Sequence, residues 1–453
     1  MGFKTLHLTN SWHGTSGGIA TFYRSLMEAA NRRGHNIRLV VPGEEDRAEE
    51  LGEFAKIYYV KARRAPLNTH YRIIYPNQFL PAGSVLQRIL ISERPDLVEI
   101  CDKYTLNYFG AVLRRGLLDG VDIRPVVIGL SCERMDDNFR SYLRRVPLAQ
   151  AFCAFYMKWA YFPFFDHHIA NSPYTAEELR QASHGHLVPR HVWIRPMGVD
   201  TRKFSAARRS PDVRRRLLKT CGGREDSILL LYAGRLVPEK NLSLLFRLLV
   251  RLVEGAKRDY RLLVAGDGIE RKHWEEFCQR RAPGHAMFLG HVTDPKEFAD
   301  LLANADAFIH PNPREPFGIA PLEAMASGLP LIAPNTGGVS SYAGRENAWV
   351  AKADVESFAS AIEEMLDNEI ERTFRAKNAL QTAEQYRWEK VAASFLDLYA
   401  DLHKTKINLG GAIPAPAFSS TAARSLRMAW LRGVSQSAER IFRLTSASPL
   451  RPD

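Results

Sequence analysis

The chain has 453 residues, of which 45% are apolar and 25% charged, and its 62 Lys and Arg against 50 Asp and Glu leave a net charge of +12. That length exceeds what one hydrophobic core serves and argues for two domains of roughly 200 residues each. The five cysteines include no C-x-x-C pair and no close histidine partner, which excludes a disulfide frame or zinc site and points to a reducing compartment.

From the N-terminus, "MGFKTLHLTN" lacks the charged and apolar regions of a signal peptide. "TLHLTN" reads as a strand, and "SWHGTSGGIATFYRSL" (11–26) then sets Gly17 and Gly18 where the strand gives way to a helical pattern. "NIRLVVP", "DLVEI", "RPVVIGL" and "HHIANS" continue an alternation of strands with helices, the signature of βαβ units in a parallel sheet. The aromatic run "PLAQAFCAFYMKWAYFPFF" (147–165) approaches a membrane span in length. With Gln150, Lys158 and its prolines, it reads instead as a buried or surface-docked helix. The first series ends near residue 205, giving an N-terminal Rossmann-like domain over 1–205.

A second series follows over 206–383: "ILLLYAG", "NLSLLFRLLVRLVEG", "YRLLVAGDG", "AMFLG", "KEFADLLANAD", "AFIHPN", "GIAPLEAMASG" and "LPLIAP". Residues 384–404 have the spacing of an amphipathic helix. Residues 405–453 form a basic low-complexity tail, and from Lys404 onward the net charge is +6, half of the total excess. Two such α/β domains suggest a ligand held in the cleft between the carboxyl ends of their strands.

Several residues carry chemistry. A helix that begins just after a strand aims unpaired N–H groups at whatever lies above, so Gly17 and Gly18 suit either a phosphate or merely a tight turn. "AGRLVPEKNL" (233–242) puts Arg235 and Lys240 between a strand and a helix, where two cations can close on a diphosphate. "PNPREPFGIAPLEAMASGLPLIAP" (311–334) sets Glu315 on a loop and Glu323 inside a helix, with Phe317, Gly318 and Ile319 between them. Carboxylates at this spacing suit a polyol, one for a sugar and one for a ribose, with helix N–H groups between them for phosphate oxygens.

Together with "D-x-x-I-A-N-S" (166–172), "MGVD" (197–200), "AGDG" (265–268) and "FLGHV" (288–292), these segments resemble the retaining nucleotide-sugar glycosyltransferases of family 4, over residues 5–404. The resemblance implies the GT-B fold: two doubly wound parallel-sheet domains, Rossmann-like, facing across a cleft, with a C-terminal crossing helix. It implies Arg235, Lys240 and Glu315 as catalytic residues. The donor would be bound by Gly17, Gly18, Gly268, Val292, Phe317, Gly318, Ile319 and Glu323, with the backbone near Val292 on the base. In place of the histidine common in the family, this chain reads "SCERMDD" (131–137). That makes Cys132 and Glu133 sugar or acceptor contacts or simply structural residues.

The implied reaction moves a hexosyl unit from a UDP- or GDP-hexose to a hydroxyl of a glycan or lipid-linked acceptor, as in bacterial glycolipid or cell-surface glycan synthesis. No D-x-D triplet occurs, so neither metal nor other cofactor is expected. A nucleotide-sugar epimerase of the same architecture and a basic membrane- or nucleic-acid-binding scaffold are the rival readings. The ordered motifs favour a transferase that does not bind nucleic acid. The basic, apolar stretch 423–444 makes an anionic membrane surface a candidate partner, for a cytoplasmic protein peripheral at the inner face of the membrane.

Overall fold

The apolar runs read as strands all lie in two separate sheets of a computed structural model, which describes residues 2–13, 17–65, 71–143, 146–185 and 191–408. The chain forms two compact units, one made of residues up to Pro196 together with those from Val391, the other of Met197–Lys390.

In unit 1 the strands are β1 (Lys4–Thr9), β2 (Asn36–Gly43), β3 (Arg47–Glu50), β4 (Ala55–Lys61), a short ribbon of β5 (Arg63–Arg64) and β6 (Arg72–Ile73), β7 (Leu97–Cys101), β8 (Val126–Ser131), β9 (His167–Ala170) and β10 (Val192–Ile194). Eight of them form one sheet in the order β10-β9-β8-β7-β1-β2-β4-β3, parallel except for β3 against β4. Burial of both sheet faces explains the near-continuous apolar runs. Leu8, Val98, Ile100 and Val127 pack with Phe109, Phe162 and Phe165 in its core.

Helix α1 (Gly18–Arg33) opens at the glycine pair. Where the sequence suggests one helix over 147–165 there are three pieces: α2 (Ala149–Tyr156), a π turn (Met157–Tyr161) and a 3-10 turn (Phe162–Phe164). Pro163, with no N–H to donate, falls in the last of these. Among the described residues no helix is long and apolar enough to cross a membrane.

Unit 2 has β11 (Ile228–Ala233), β12 (Tyr260–Ala265), β13 (Ala286–Gly290), β14 (Ala307–Ile309), β15 (Leu331–Pro334) and β16 (Trp349–Ala351) in the order β13-β12-β11-β14-β15-β16. All neighbours are parallel, and counted within the unit the order is 3-2-1-4-5-6, the dinucleotide-fold order. Helices α3 (Leu242–Glu254) and α4 (Ile319–Ala326) each follow a strand, and α5 (Glu369–Gln385) lies near the end of the unit. Leu245, Phe246 and Leu249 of α3 share a core with Leu230, Leu262 and Val264 of the sheet.

The boundaries differ from those suggested by sequence. Segment 197–205 belongs to unit 2, because Val199 N–H donates to Tyr386 O at 2.8 Å and Val199 O accepts from Trp388 N–H at 3.2 Å. Gly198 lies so close to the Trp388 ring that a Cβ there would come within 2.5 Å of it. The last helix, α6, spans Trp388–Asn408 rather than 384–404, since α5 continues to Gln385. The stretch 423–444 and the rest of the tail lie outside the described residues.

From Val391 onward α6 belongs to unit 1, and its Tyr399 hydroxyl donates to Glu99 of β7. Glu99 is fully buried and also meets His7 Nδ1 at 2.9 Å and the Tyr23 hydroxyl at 3.1 Å. A buried carboxylate needs such partners, and here they come from β1, α1 and α6.

Candidate functional site

Strand order in unit 2 reverses between β11 and β14, and in open parallel sheets a ligand crevice forms beyond the carboxyl ends of the strands at that point. The loop after β11 carries Arg235 and Lys240, and the loop after β14 carries residues 310–318. Asn241, held in the left-handed region at φ 53°, joins them by donating from Nδ2 to Pro311 O at 2.9 Å.

The Lys240 ammonium donates to both oxygens of Glu315, at 3.0 and 2.8 Å. Asn312 Nδ2 adds a third bond to Glu315 at 3.2 Å, and His310 Nε2 lies 3.9 Å away. Glu315 lies on a loop, as its sequence context suggests, yet its side chain is only 12% exposed and that of Lys240 only 19%. Burial alone would raise the Glu315 carboxyl, yet the charge of Lys240, then His310 and the hydrogen bonds, hold it down at about 2. Burial likewise lowers His310 to about 4, so its imidazole is neutral at physiological pH. His310 and Asn312 were not singled out from sequence, although "AFIHPN" contains both.

Gly318 ends the loop at φ 86° and its carbonyl accepts from the Tyr342 hydroxyl, which aims the start of α4. Pro321 is the third residue of α4, where its missing N–H had no intrahelical partner to lose. Phe317 is buried against Tyr342 and Tyr386, so its side chain is core and only its backbone is available to a ligand. Ile319 is half-buried. Behind the loop lies the segment after β15: Gly338 N–H donates to Glu315 O at 2.6 Å, and a Cβ on Gly338 would stand 1.9 Å from Pro316 O. Gly338 thus holds the main chain of Glu315 while Lys240 holds its carboxylate.

Glu323, half-buried within α4, has no hydrogen-bond partner for its carboxylate among the described residues. Burial raises it to about 7, with a smaller opposing effect from the Lys203 charge. An ionised carboxylate with open lone pairs can accept hydrogen bonds from hydroxyl groups.

Other sequence candidates sit differently. Arg235 is exposed and its guanidinium donates to Glu239 at 2.9 Å, so the two expected cations have different partners. Gly268 packs backbone on backbone: a Cβ there would lie 2.3 Å from Leu236 O, so glycine is required by this contact irrespective of a ligand. Val292 is half-buried on the loop after β13.

In unit 1 the strand order reverses between β1 and β7. Gly17 caps α1, a Cβ on it would meet nothing within 4 Å, and Gly18 is the first helical residue. Asp102, just past β7, accepts from the N–H groups of Tyr104, Thr105 and Leu106 at 2.9, 2.6 and 2.8 Å and from Asn10 at 3.1 Å. Lys103 is buried, donating to Glu133 O and Glu178, each at 2.6 Å. Glu133 accepts from Asn138 at 2.9 Å, and burial raises its carboxyl above the ordinary value. Cys132 is half-buried with a free thiol, and its carbonyl accepts from Asn171 at 3.4 Å.

Comparison with known proteins follows the same division. Residues 215–382 match the family described as Glycosyl transferases group 1, and residues 16–203 match Glycosyltransferase Family 4. A GDP-mannose-dependent alpha-mannosyltransferase of Mycobacterium tuberculosis is 31% identical over 331 residues, 71% of this chain and 76% of the relative. A GDP-mannose-dependent alpha-(1-6)-phosphatidylinositol dimannoside mannosyltransferase of the same species is 28% identical over 394 residues, 87% of this chain and 95% of that one. Among solved structures, sucrose-phosphate synthase from Thermosynechococcus elongatus superposes with a TM-score of 0.70 at 20% identity, covering 89% of this chain and 100% of the other, a likeness of fold.

Proposed function

The chain belongs to the family 4 glycosyltransferases of the GT-B fold, and from that premise we propose that it moves a mannosyl unit from GDP-mannose to a hydroxyl of a lipid-linked acceptor, with retention at the anomeric carbon. The observation that carries the reading is the Lys240–Glu315 pair at the strand-order reversal of unit 2, with the unpartnered Glu323 on the helix that follows. The relatives named for GDP-mannose and for a phosphatidylinositol dimannoside support the choice of donor and acceptor.

In this reading Lys240 and Arg235 stabilise the negative charge that develops on the departing diphosphate, aided by the N-terminus of α4. Glu315, held ionised, accepts hydrogen bonds from the sugar hydroxyls through lone pairs that Lys240 and Asn312 leave open. Glu323 takes the ribose hydroxyls, and the backbones of Phe317, Gly318 and Ile319 face the sugar and phosphates. The loop of Val292 contacts the base, while Gly268 shapes the neighbouring wall through its contact with Leu236. Within unit 1 taken by itself, the helix start at Gly17 and Gly18 suits a phosphate, and Glu133 with Cys132 suits an acceptor. The leaving-group charge is met by side chains and helix N–H groups, so the reaction is metal-independent. The enzyme works at the cytoplasmic face of the membrane.

The test is release of nucleotide from GDP-mannose and from UDP-glucose, each with and without phosphatidylinositol mannoside, in EDTA. Acceptor-accelerated GDP release and an α-configured product by NMR are expected. Faster release from UDP-glucose would overturn the donor assignment, and activity that manganese or magnesium restores after EDTA would overturn metal independence.

A further inference from the structure

Helix α2 and the π turn after it bury one face and turn the other outward. Ala149, Cys153 and Tyr156 recur at helical spacing and lie in the unit 1 core. Leu148, Phe152, Phe155 and Trp159 recur with the same period and are exposed, Leu148 by 80%, Phe155 by 63% and Trp159 by 56%. With Val146 they make five of the ten markedly exposed large apolar side chains among the described residues, gathered within fourteen positions, while the other five are distributed over both units. A soluble surface carries single apolar side chains without consequence, but a contiguous row of them marks a contact.

Two further observations say with what. Leu148 sits in the left-handed region at φ 62°, ψ 4°, where glycine or asparagine meets less strain, so a large apolar group is presented outward against the local backbone preference. From Asn138 to Phe165 the sequence has Arg140, Arg144, Arg145 and Lys158 and no Asp or Glu; Arg144 and Arg145 lie outside the described residues. Two copies meeting through this segment would bring Arg140 and Lys158 of one towards those of the other with no acidic side chain of the segment to offset them. An anionic lipid surface instead offers phosphates to the cations and an acyl boundary to the Leu, Phe and Trp side chains.

We propose that the outward face of 146–159 docks unit 1 on an anionic bilayer, with Leu148, Phe152, Phe155 and Trp159 entering the headgroup boundary and Arg140 and Lys158 meeting lipid phosphates. The docking stands on this surface alone and not on the transfer reaction, although it would bring the enzyme to a lipid-linked acceptor.

The test uses the full chain with vesicles of phosphatidylcholine alone and with about 30% phosphatidylglycerol, read by co-sedimentation. Binding is expected to the anionic vesicles and to weaken with salt. The triple variant Phe152→Ser/Phe155→Ser/Trp159→Ser should lower the partition coefficient by roughly a hundredfold. Arg140→Gln/Lys158→Gln should lower it by roughly tenfold and flatten the salt dependence. These side chains point outward, and circular dichroism with a thermal melt reports that each variant is folded. Nucleotide release from the donor without vesicles is the separate readout of the transferase reading and should be equal in wild type and triple variant. The docking proposal is overturned if the folded triple variant binds within twofold of wild type, if wild type ignores the anionic vesicles, or if the substitutions instead convert a dimer to a monomer with vesicle binding unchanged.

Discussion

Both sheets reverse their strand order once, and the two reversal points are furnished differently. Beyond β7 in unit 1, Asp102 is saturated by three backbone N–H groups and Asn10, and Lys103 is buried on Glu178 and a carbonyl. Beyond β11 and β14 in unit 2, the Lys240–Glu315 pair retains 19% and 12% exposure, and the Glu323 carboxylate has no hydrogen-bond partner among the described residues. The same topology therefore serves two ends. In unit 1 the charges at this point close the loops on themselves, whereas in unit 2 one carboxylate is left with lone pairs open. A saturated carboxylate holds structure, and an unsaturated one can still accept hydrogen bonds.

The largest expected effects separate these carboxylates. Glu315→Ala should lower transfer at least about a thousandfold and stability by about 3 kcal/mol, because it strands a mostly buried ammonium. Asp102→Ala should lower stability by about 2 to 3 kcal/mol, by leaving backbone donors unpaired, while GDP affinity holds. Urea unfolding and calorimetric titration with GDP measure both, and equal loss of GDP affinity in the two variants would erase the contrast. Because the Glu315 carboxyl is held at about 2, below its usual 4.5, its stabilisation is present above pH 4.5 and fades as pH falls towards 2.

Glycines sharpen the comparison at intermediate size. Gly338→Ala would drive a methyl into Pro316 O, and should cost about 3 kcal/mol along with donor binding. Gly17→Ala meets open space, so its stability change should stay below about 1 kcal/mol, while transfer slows roughly tenfold because only a bound phosphate would meet the new methyl. Melting temperature and transfer rate measured together decide this: unchanged transfer in Gly17→Ala would make the glycine pair a plain turn.

The smallest effect concerns pH. With Glu323 at about 7, most of the carboxyl is protonated at pH 6, and hydroxyl donors prefer the ionised form. GDP affinity should therefore weaken about tenfold between pH 8 and pH 6 in wild type, and Glu323→Gln should be flat across that range. Stability has the opposite sign. The folded pKa is raised, so the contribution of Glu323 to stability is fully present below 4.5 and is lost as pH rises through 7, a decline that the glutamine variant lacks.

How much of this was legible depends on what kind of information each feature uses. Strand and helix alternation is written in local periodicity, so "AMFLG" coincides with β13 and "GIATFYRSLMEAANRR" with α1. The edge formed by β3 and β4 went unread because "RAEE" is charged throughout and "AKIYYVK" lacks clean apolar alternation. Glu315, Glu323 and Lys240 stood out as residue types at a spacing. Their bonding did not, because Lys240 reaches Glu315 across 75 residues and His310 joins them only once β14 ends where it does. The glycines of "AGDG" and "NTGG" were visible as letters, but Gly268 and Gly338 owe their identity to carbonyls of Leu236 and Pro316, contacts that sequence spacing does not encode.

The hydroxyl of Tyr399 on Glu99 sets an order of events during synthesis. Unit 1 is discontinuous: the chain leaves it after Pro196 and returns at Val391, so Glu99 is translated exactly 300 residues before one of the groups that seal it. Unit 2 is a single stretch and can close as soon as Lys390 has cleared the ribosome. The first-made domain is thus the last to finish. Until α6 emerges, the sheet of unit 1 holds a carboxylate with an open flank, and a nascent chain stalled before residue 399 should expose it to proteases and chaperones while unit 2 is already resistant.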